Sequence, residues 1–231
     1  MNTVLRREEK YLISLKEAMH FSDIFNDILQ KDSYSEFDSY TVRTLYFDNI
    51  DDNDFFNKIN EQELRRKIRL RIYNPNDKTA KLELKQKQGV FQKKRSLSIS
   101  RKDAKELING NISILLNYRN DFADEVYSIM SMECYRPKTI IEYKRKAFMA
   151  KENNIRLTFD SNIQSTESNY DLFSDNLLLN NVLDFNNIIF EVKYDKFMLS
   201  YISDIIACID RRTVSSSKYC LGRSIGYPLY L

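Results

Sequence analysis

Between Arg65 and Tyr73 the chain reads RRKIRLRIY, with Arg65, Lys67, Arg69 and Arg71 at every second position and Ile68, Leu70 and Ile72 between them. Period two is the repeat of a β-strand, whose successive side chains point to opposite faces. One face of this strand is therefore cationic and the other, from Ile68 onward, apolar. Two cations ~7 Å apart on one face repel by roughly 2.4 kcal/mol at an effective dielectric of 20, but by only about 0.6 kcal/mol in water. An open face tolerates this stripe cheaply, whereas an enclosed one calls for anions.

The following segments repeat the pattern. In AKLELKQK, Lys81, Glu83, Lys85 and Lys87 share a face opposite Leu82 and Leu84. In VFQKKRSLSIS, Gln92, Lys94, Ser96 and Ser98 face away from Phe91, Leu97 and Ile99, which leaves Lys93 and Arg95 on the apolar side unless a bulge shifts the phase. Further on, IRLTFD aligns Arg156, Thr158 and Asp160, and FEVKYD aligns Glu191, Lys193 and Asp195. The charge is concentrated: residues 65–106 hold fifteen Lys or Arg against four Asp or Glu, in a chain whose net charge is only +3. A general nucleic-acid binder is disfavoured by that small total and by the lack of aromatic residues interleaved with the basic stripe. A local site for a polyanion is favoured.

At 231 residues, with 42% hydrophobic residues and few Gly or Pro, the chain is expected to form one folded domain over residues 1–231. Cys134, Cys208 and Cys220 lack zinc-like spacing and read as reduced thiols of a cytoplasmic protein. The start, MNTVLRREEKYLI, is charged and unlike a signal peptide, and no apolar run is long enough for a membrane span. The single histidine, His20, is expected on a helix surface, so histidine-based chemistry is not expected.

Along the chain, residues 5–13 read as a strand with Arg6, Glu8 and Lys10 on one face. SLKEAMHFSDIFNDILQKD reads as a helix with a Ser14–Glu17 capping box and a stripe of Met19, Ile24, Phe25 and Ile28. SYTVRTLYFDN is strand-like and DDNDFFNKINEQ a short helix. Three hairpin-linked strands follow, then a helix at SRKDAKELI and one long helical stretch over residues 113–132. KTIIEYKRKAFMA, NNIRLTFD and IIFEVKYD are strands, residues 161–187 are partly irregular, and FMLSYISDIIACIDR is helical. About eight strands without βαβ alternation predict an α+β fold, in which an antiparallel sheet closes into an eight-stranded barrel with helices packed outside.

The one-sided charge admits two readings. A sheet with one dry and one solvated face produces it commonly. Alternatively, Arg and Lys line a lumen and hold phosphates, Arg by bidentate donors and Lys by compact charge, with sparse carboxylates able to hold a divalent metal. No P-loop or dinucleotide glycine motif is present, so side chains must carry the phosphate contacts.

RREEKY, TLYFDN, RKIRLRIY, LELKQ, KRKAF, IRLTFD, FEVKY and SKYCLG occur in this order from about Arg6 to Gly222. The series resembles the VTC domain, the polyphosphate polymerase branch of the triphosphate tunnel metalloenzymes. The resemblance implies transfer of the γ-phosphate of ATP to a growing inorganic polyphosphate chain, with Mn2+ or Mg2+ as cofactor. It implies Lys10, Arg69, Arg71, Lys85, Lys94, Arg145, Arg156 and Lys218 as phosphate ligands, with Arg69, Arg71 and Lys85 central to catalysis and Glu191 binding the metal. Glu83 and Glu142 are further metal candidates, or partners of nearby cations. Lys58 stands about where the eukaryotic pattern has Arg, and Asp48 reads as a strand-end cap. The expected partners are ATP and polyphosphate, with no nucleic acid and no membrane segment in this chain; a membrane partner stays open. The rival functions are a tunnel triphosphatase and a non-catalytic polyphosphate-binding module.

Overall fold

The computed structural model describes residues 6–32, 38–89, 91–209 and 217–224. The period-two segments form strands: β1 (Arg6–Ser14), β3 (Tyr40–Asp48), β4 (Leu64–Ile72), β5 (Thr79–Gln88), β6 (Phe91–Ser100), β7 (Arg136–Met149), β8 (Arg156–Thr166) and β10 (Asn187–Asp195). Two-residue strands β2 (Gln30–Lys31) and β9 (Asn180–Asn181) pair with β7 and β8. The helices are α1 (Leu15–Ile28), α2 (Asn53–Ile59), α3 (Arg101–Ile108), α4 (Asp121–Met132), α5 (Ser200–Ala207) and α6 (Lys218–Arg223). None is long and apolar enough to cross a membrane.

The strand order is β1-β10-β8-β7-β3-β4-β5-β6. The fold is α+β with a large antiparallel sheet, as expected. The path has two ends, at β1 and β6, and among the described residues no ladder joins them, so the expected closed barrel is not formed. Alternation within a strand specifies which face is buried, but not whether the last strand pairs with the first.

The chain divides into two compact units. One comprises Met1–Thr41, Tyr143–Ile163 and Leu183–Ser216, and the other Val42–Glu142, Gln164–Val182 and Ser217–Leu231. In the second unit, Leu45, Phe47, Ile68, Leu70, Leu82, Leu84 and Ile99 form the dry face of β3–β6, packed against Leu107, Leu115, Phe122 and Val126 of the helical segments. Strand β6 pairs with β5 without a bulge: Lys94 stands opposite Lys85 and Ser96 opposite Glu83. Lys94 therefore lies on the polar face. Arg95 lies on the other, where its guanidinium meets the Glu125 carboxylate and sits over the Phe122 ring.

In the first unit, β1, β10 and β8 turn Tyr11, Ile13, Phe190, Val192, Leu157 and Phe159 toward α1 and α5. Phe25 is fully buried there, with ring centroids of Phe148, Phe159 and Phe190 6.1–6.2 Å away. Ser14 caps α1, and the reciprocal Glu17 bond completes the expected capping box. The buried stripe, however, is Ala18, Phe21, Ser22 and Phe25, while Met19 is 62% and Ile28 44% exposed. His20 is exposed, as expected.

Two boundaries also differ from expectation. The helical stretch over residues 113–132 is broken: a 3-10 helix, Ile112–Tyr118, ends at Arg119 in the left-handed region (φ 44°), and Asn120 accepts from the Phe122 amide to cap α4 anew. Strand β8 runs on to Thr166 through Asn162, which adopts φ 48°, a conformation Asn tolerates better than most residues. Its polar residues find partners there, since Ser165 donates to the Gly222 carbonyl and Thr139 donates to that of Thr166.

The α1 register gives a direct test. Phe21→Ala should lower unfolding free energy by about 3–5 kcal/mol in denaturant titrations, whereas Met19→Ser should change it by less than about 0.5 kcal/mol.

Candidate functional site

The polar face of the second unit is built by register. Lys67, Lys85 and Lys94 stand opposite one another on β4, β5 and β6, Arg69 stands opposite Tyr46 and Glu83, and Arg71 stands opposite Thr44 and Lys81. At the centre is Glu83, only 2% exposed. Arg69 Nε donates to its Oε2 at 2.7 Å, Arg71 Nη1 lies 3.7 Å from the same oxygen, and Lys94 Nζ contacts Oε1. Burial pushes the Glu83 carboxyl up, but Arg69, Arg71 and Lys94 outweigh it and hold the group at about 2. Burial, with Arg69 and Arg71 close by, lowers the Lys94 ammonium against the opposing pull of Glu83. Arg69 also donates to the Tyr46 hydroxyl at 3.1 Å, and Arg71 Nε lies 3.3 Å from Thr44 Oγ1. Lys218 opens α6, where Ser217 caps the helix and accepts from Lys67 Nζ at 2.5 Å.

The first unit carries a second charged face. Lys10 pairs in register with Glu191, and Glu8 with Lys193. Arg145 is 7% exposed and grips Asp160 through two bonds, Nε–Oδ1 at 2.6 Å and Nη2–Oδ2 at 2.7 Å, while its Nη2 lies 3.7 Å from Glu191 Oε2. Lys193 Nζ lies 2.7 Å from Glu191 Oε1, and Lys10 Nζ lies 3.1 Å from Glu8. Burial lowers the Lys193 ammonium to about 8 despite the opposing pull of Glu191 and Glu8. Arg156 reaches Asp32 at 2.5 Å and the Tyr40 hydroxyl at 3.0 Å.

The expected ligands thus fall into two groups. Arg69, Arg71, Lys85, Lys94 and Lys218 belong to the second unit, and Lys10, Arg145, Arg156 and Glu191 to the first. Of the two roles open to Glu83, the structure shows the partner of cations, three of them at once. Two participants were not nominated from sequence: Asp160 as the partner of Arg145, and Lys193 on Glu191. Both share a strand face with a nominated residue, which is the signal that could have found them. Glu142 pairs with Arg43 at 2.6 Å, and Lys58, on α2, lies 4.0 Å from Glu61 just beyond that helix. Asp48 is a cap, as expected: its carboxylate accepts from the amides of Asn49, Asp54 and Phe55 at the start of α2.

The expected metal site at Glu191 would draw on these donors. Hard divalent ions take several oxygen ligands, yet both Glu191 oxygens face cations and both Asp160 oxygens are taken by Arg145. Among the described residues no group of three or more His, Cys, Asp or Glu converges. The donor set therefore does not fit a preformed divalent site at Glu191.

A family model for the VTC domain matches residues 5–227. The chain belongs to the VTC domain family. Members of this family and of the tunnel fold are enzymes acting on triphosphates, and the tunnel metalloenzymes generally use divalent metals. Among solved structures, the chain is similar to the candidate adenylyl cyclase HpAC1 from Hippeastrum, reported to have a dominant triphosphatase activity (12% identity, 94% of each chain, TM-score 0.57). It is also similar to a candidate adenylate cyclase from Bacillus halodurans (12% identity, 89% of this chain and 87% of the other, TM-score 0.46). At such identity the first likeness establishes shared fold. A search of curated proteins found no match.

Glu83 carries a pH prediction. Its carboxyl is lowered by folding from 4.5 to about 2, so the stability it contributes is fully present above 4.5 and is lost as pH falls through 2. Thermal melts of Glu83→Gln should therefore show a lowered Tm at pH 7, with the gap to wild type narrowing between pH 4.5 and 2.

Proposed function

We propose that this VTC-family protein is a polyphosphate polymerase that moves the γ-phosphoryl group of ATP onto the end of an inorganic polyphosphate chain. The observation that carries the reading is the cationic face around Glu83. There Arg69, Arg71, Lys85 and Lys94 share one surface, and a buried carboxylate fixes the two guanidiniums and Lys94. Phosphoryl transfer depends mainly on positioning and on neutralising charge over the transferred group, which such a face supplies.

In this reading Arg69, Arg71 and Lys85 hold the reacting phosphates, and Lys94 and Lys218 hold neighbouring ones. Lys10, Arg145 and Arg156 of the first unit bind phosphate oxygens as well. The bond from the γ-phosphorus to the β–γ bridging oxygen breaks as a bond to a terminal chain oxygen forms, and ADP leaves with the bridging oxygen. The attacking group is already an ionised phosphate, so no side chain has to take its proton. No step is assigned to a metal at Glu191, whose oxygens are engaged by Arg145 and Lys193. The reading includes a cytoplasmic location, where ATP is at hand and three free cysteines stay reduced.

Hydrolysis is the second reading, favoured by the triphosphatase activity reported for the Hippeastrum protein of the same fold. The two differ only in whether phosphate or water attacks. Purified protein incubated with ATP and either Mn2+ or Mg2+ should yield long polyphosphate on gels and chain-internal phosphorus signals by NMR. Arg69→Ala and Lys85→Ala should each lower the rate by about a hundredfold or more. Short phosphate products without polymer would assign hydrolysis, and tight tripolyphosphate binding without turnover would leave a binding module.

A further inference from the structure

Helix α6 has six residues, too few to stay helical without support from its surroundings. Its support is unusually polar. Tyr219, 1% exposed, donates its hydroxyl to Asp48 Oδ2 at 2.6 Å, and Asp48 itself is fully buried. The same Asp48 oxygen accepts from the Phe55 amide at 2.9 Å, so one carboxylate fastens both α2 and α6. Burial and Asp48 push the Tyr219 hydroxyl up, which keeps it a donor. One turn on, Arg223 reaches Asp52 at 2.7 Å and Glu167 at 3.1 Å, with its guanidinium over the Phe55 ring. Between them Gly222 lies so close to Ile141 that a methyl group on its α-carbon would stand 2.7 Å from Ile141 Cδ1.

These anchors lie beside the cationic face. The Tyr219 ring stacks on that of Tyr46, with centroids 5.1 Å apart and planes at 23°. Tyr46 in turn accepts from Arg69. The start of α6 meets the same face: Ser217, the residue before Lys218, accepts from Lys67 Nζ at 2.5 Å. Burial pushes the Tyr46 hydroxyl up, yet Arg69 and Arg71, and to a lesser degree Lys218, bring it below its ordinary value. Lys218 is the residue immediately before Tyr219. A rotation or slide of α6 therefore moves its ammonium relative to Arg69 and Arg71.

We infer that Tyr219 and Arg223 are positioning residues for Lys218: their bonds to Asp48 and Asp52 set the rotation of α6 and so hold the Lys218 ammonium at the phosphate-binding face. This rests on the proposal that Lys218 binds phosphate. The bonds are buried and charge-assisted, which makes them directional and stiff. They act on the anion only through the lysine.

Tripolyphosphate binding by the full chain, measured by calorimetry, tests the inference through a double-mutant cycle. Lys218→Ala should weaken binding about tenfold, and Tyr219→Phe, which keeps the ring, about three- to tenfold. The double variant should bind no more weakly than Lys218→Ala alone, because Tyr219 acts through the lysine. Additive losses would overturn the inference, and so would unchanged binding in Lys218→Ala. Gly222→Ala offers a route that leaves every hydrogen bond chemically intact. It should weaken binding to a similar extent, with Ile141→Ala restoring affinity by making room for the added methyl; wild-type affinity in Gly222→Ala would count against the inference. All variants are compared at a temperature at which circular dichroism shows them folded. A wild-type protein that fails to bind tripolyphosphate would instead overturn the phosphate reading itself, and this inference with it.

Discussion

Arg69, Arg71 and Lys94 can share one face of the sheet because Glu83 is buried among them. Without a carboxylate there, three cations would repel across a partly desolvated surface; with it, two guanidiniums and an ammonium are drawn toward a common centre. The remaining geometry follows from that interaction. The ladder must keep β5 in register with β4 and β6 so that Glu83 meets its partners, and a one-residue slip would turn Glu83 into the dry face and Leu82 and Leu84 out of it. The helices packed on that dry face stabilise the register from the other side. Site and core are thus two sides of the same strands.

The first unit solves the same problem with different residues. Glu191 stands where the family resemblance implies a ligand for an external ion, yet the described geometry engages it with Arg145 and Lys193, and Asp160 with Arg145. A buried cation needs a counter-charge before any substrate arrives. The sparse acids of the basic strands meet that need. This is why a stripe that seemed to require bound anions can form within the folded chain.

What could be read beforehand followed from local rules. Strict alternation located β4 and β5 and assigned Arg69, Arg71 and Lys85 to their polar faces, and Ser14 with Glu17 marked the start of α1; the face of Lys94 was set only by the pairing of β6 with β5. What could not be read depended on packing at a distance. Phe21 takes the buried place that the periodicity offered to Met19, because the first-unit core at Phe25 selects which flank of the helix turns inward. The break at Arg119 was hidden because residues 113–132 look helical on both sides of it, although Asn120 followed by Asp121 was a cap signal. Strand β8 continued through Asn162 into a polar stretch whose partners, such as the Gly222 carbonyl, lie far along the chain. Pairwise distances were likewise out of reach: Glu83 was visible on the right face, but its service to three cations at once was not.

The two ends of the strand ladder have a consequence for how copies of the protein behave toward one another. A terminal strand offers main-chain donors and acceptors on which another molecule's strand could grow. Here β1 begins Arg-Arg-Glu-Glu-Lys, and β6 carries Lys93, Lys94 and Arg95 in succession. Strands this dense in charge make poor templates, since stacking a second β6 against the first would bring like charges together without water between them. The lysines and arginines of β6 thereby serve colloidal stability, guarding an open margin of the sheet against aggregation.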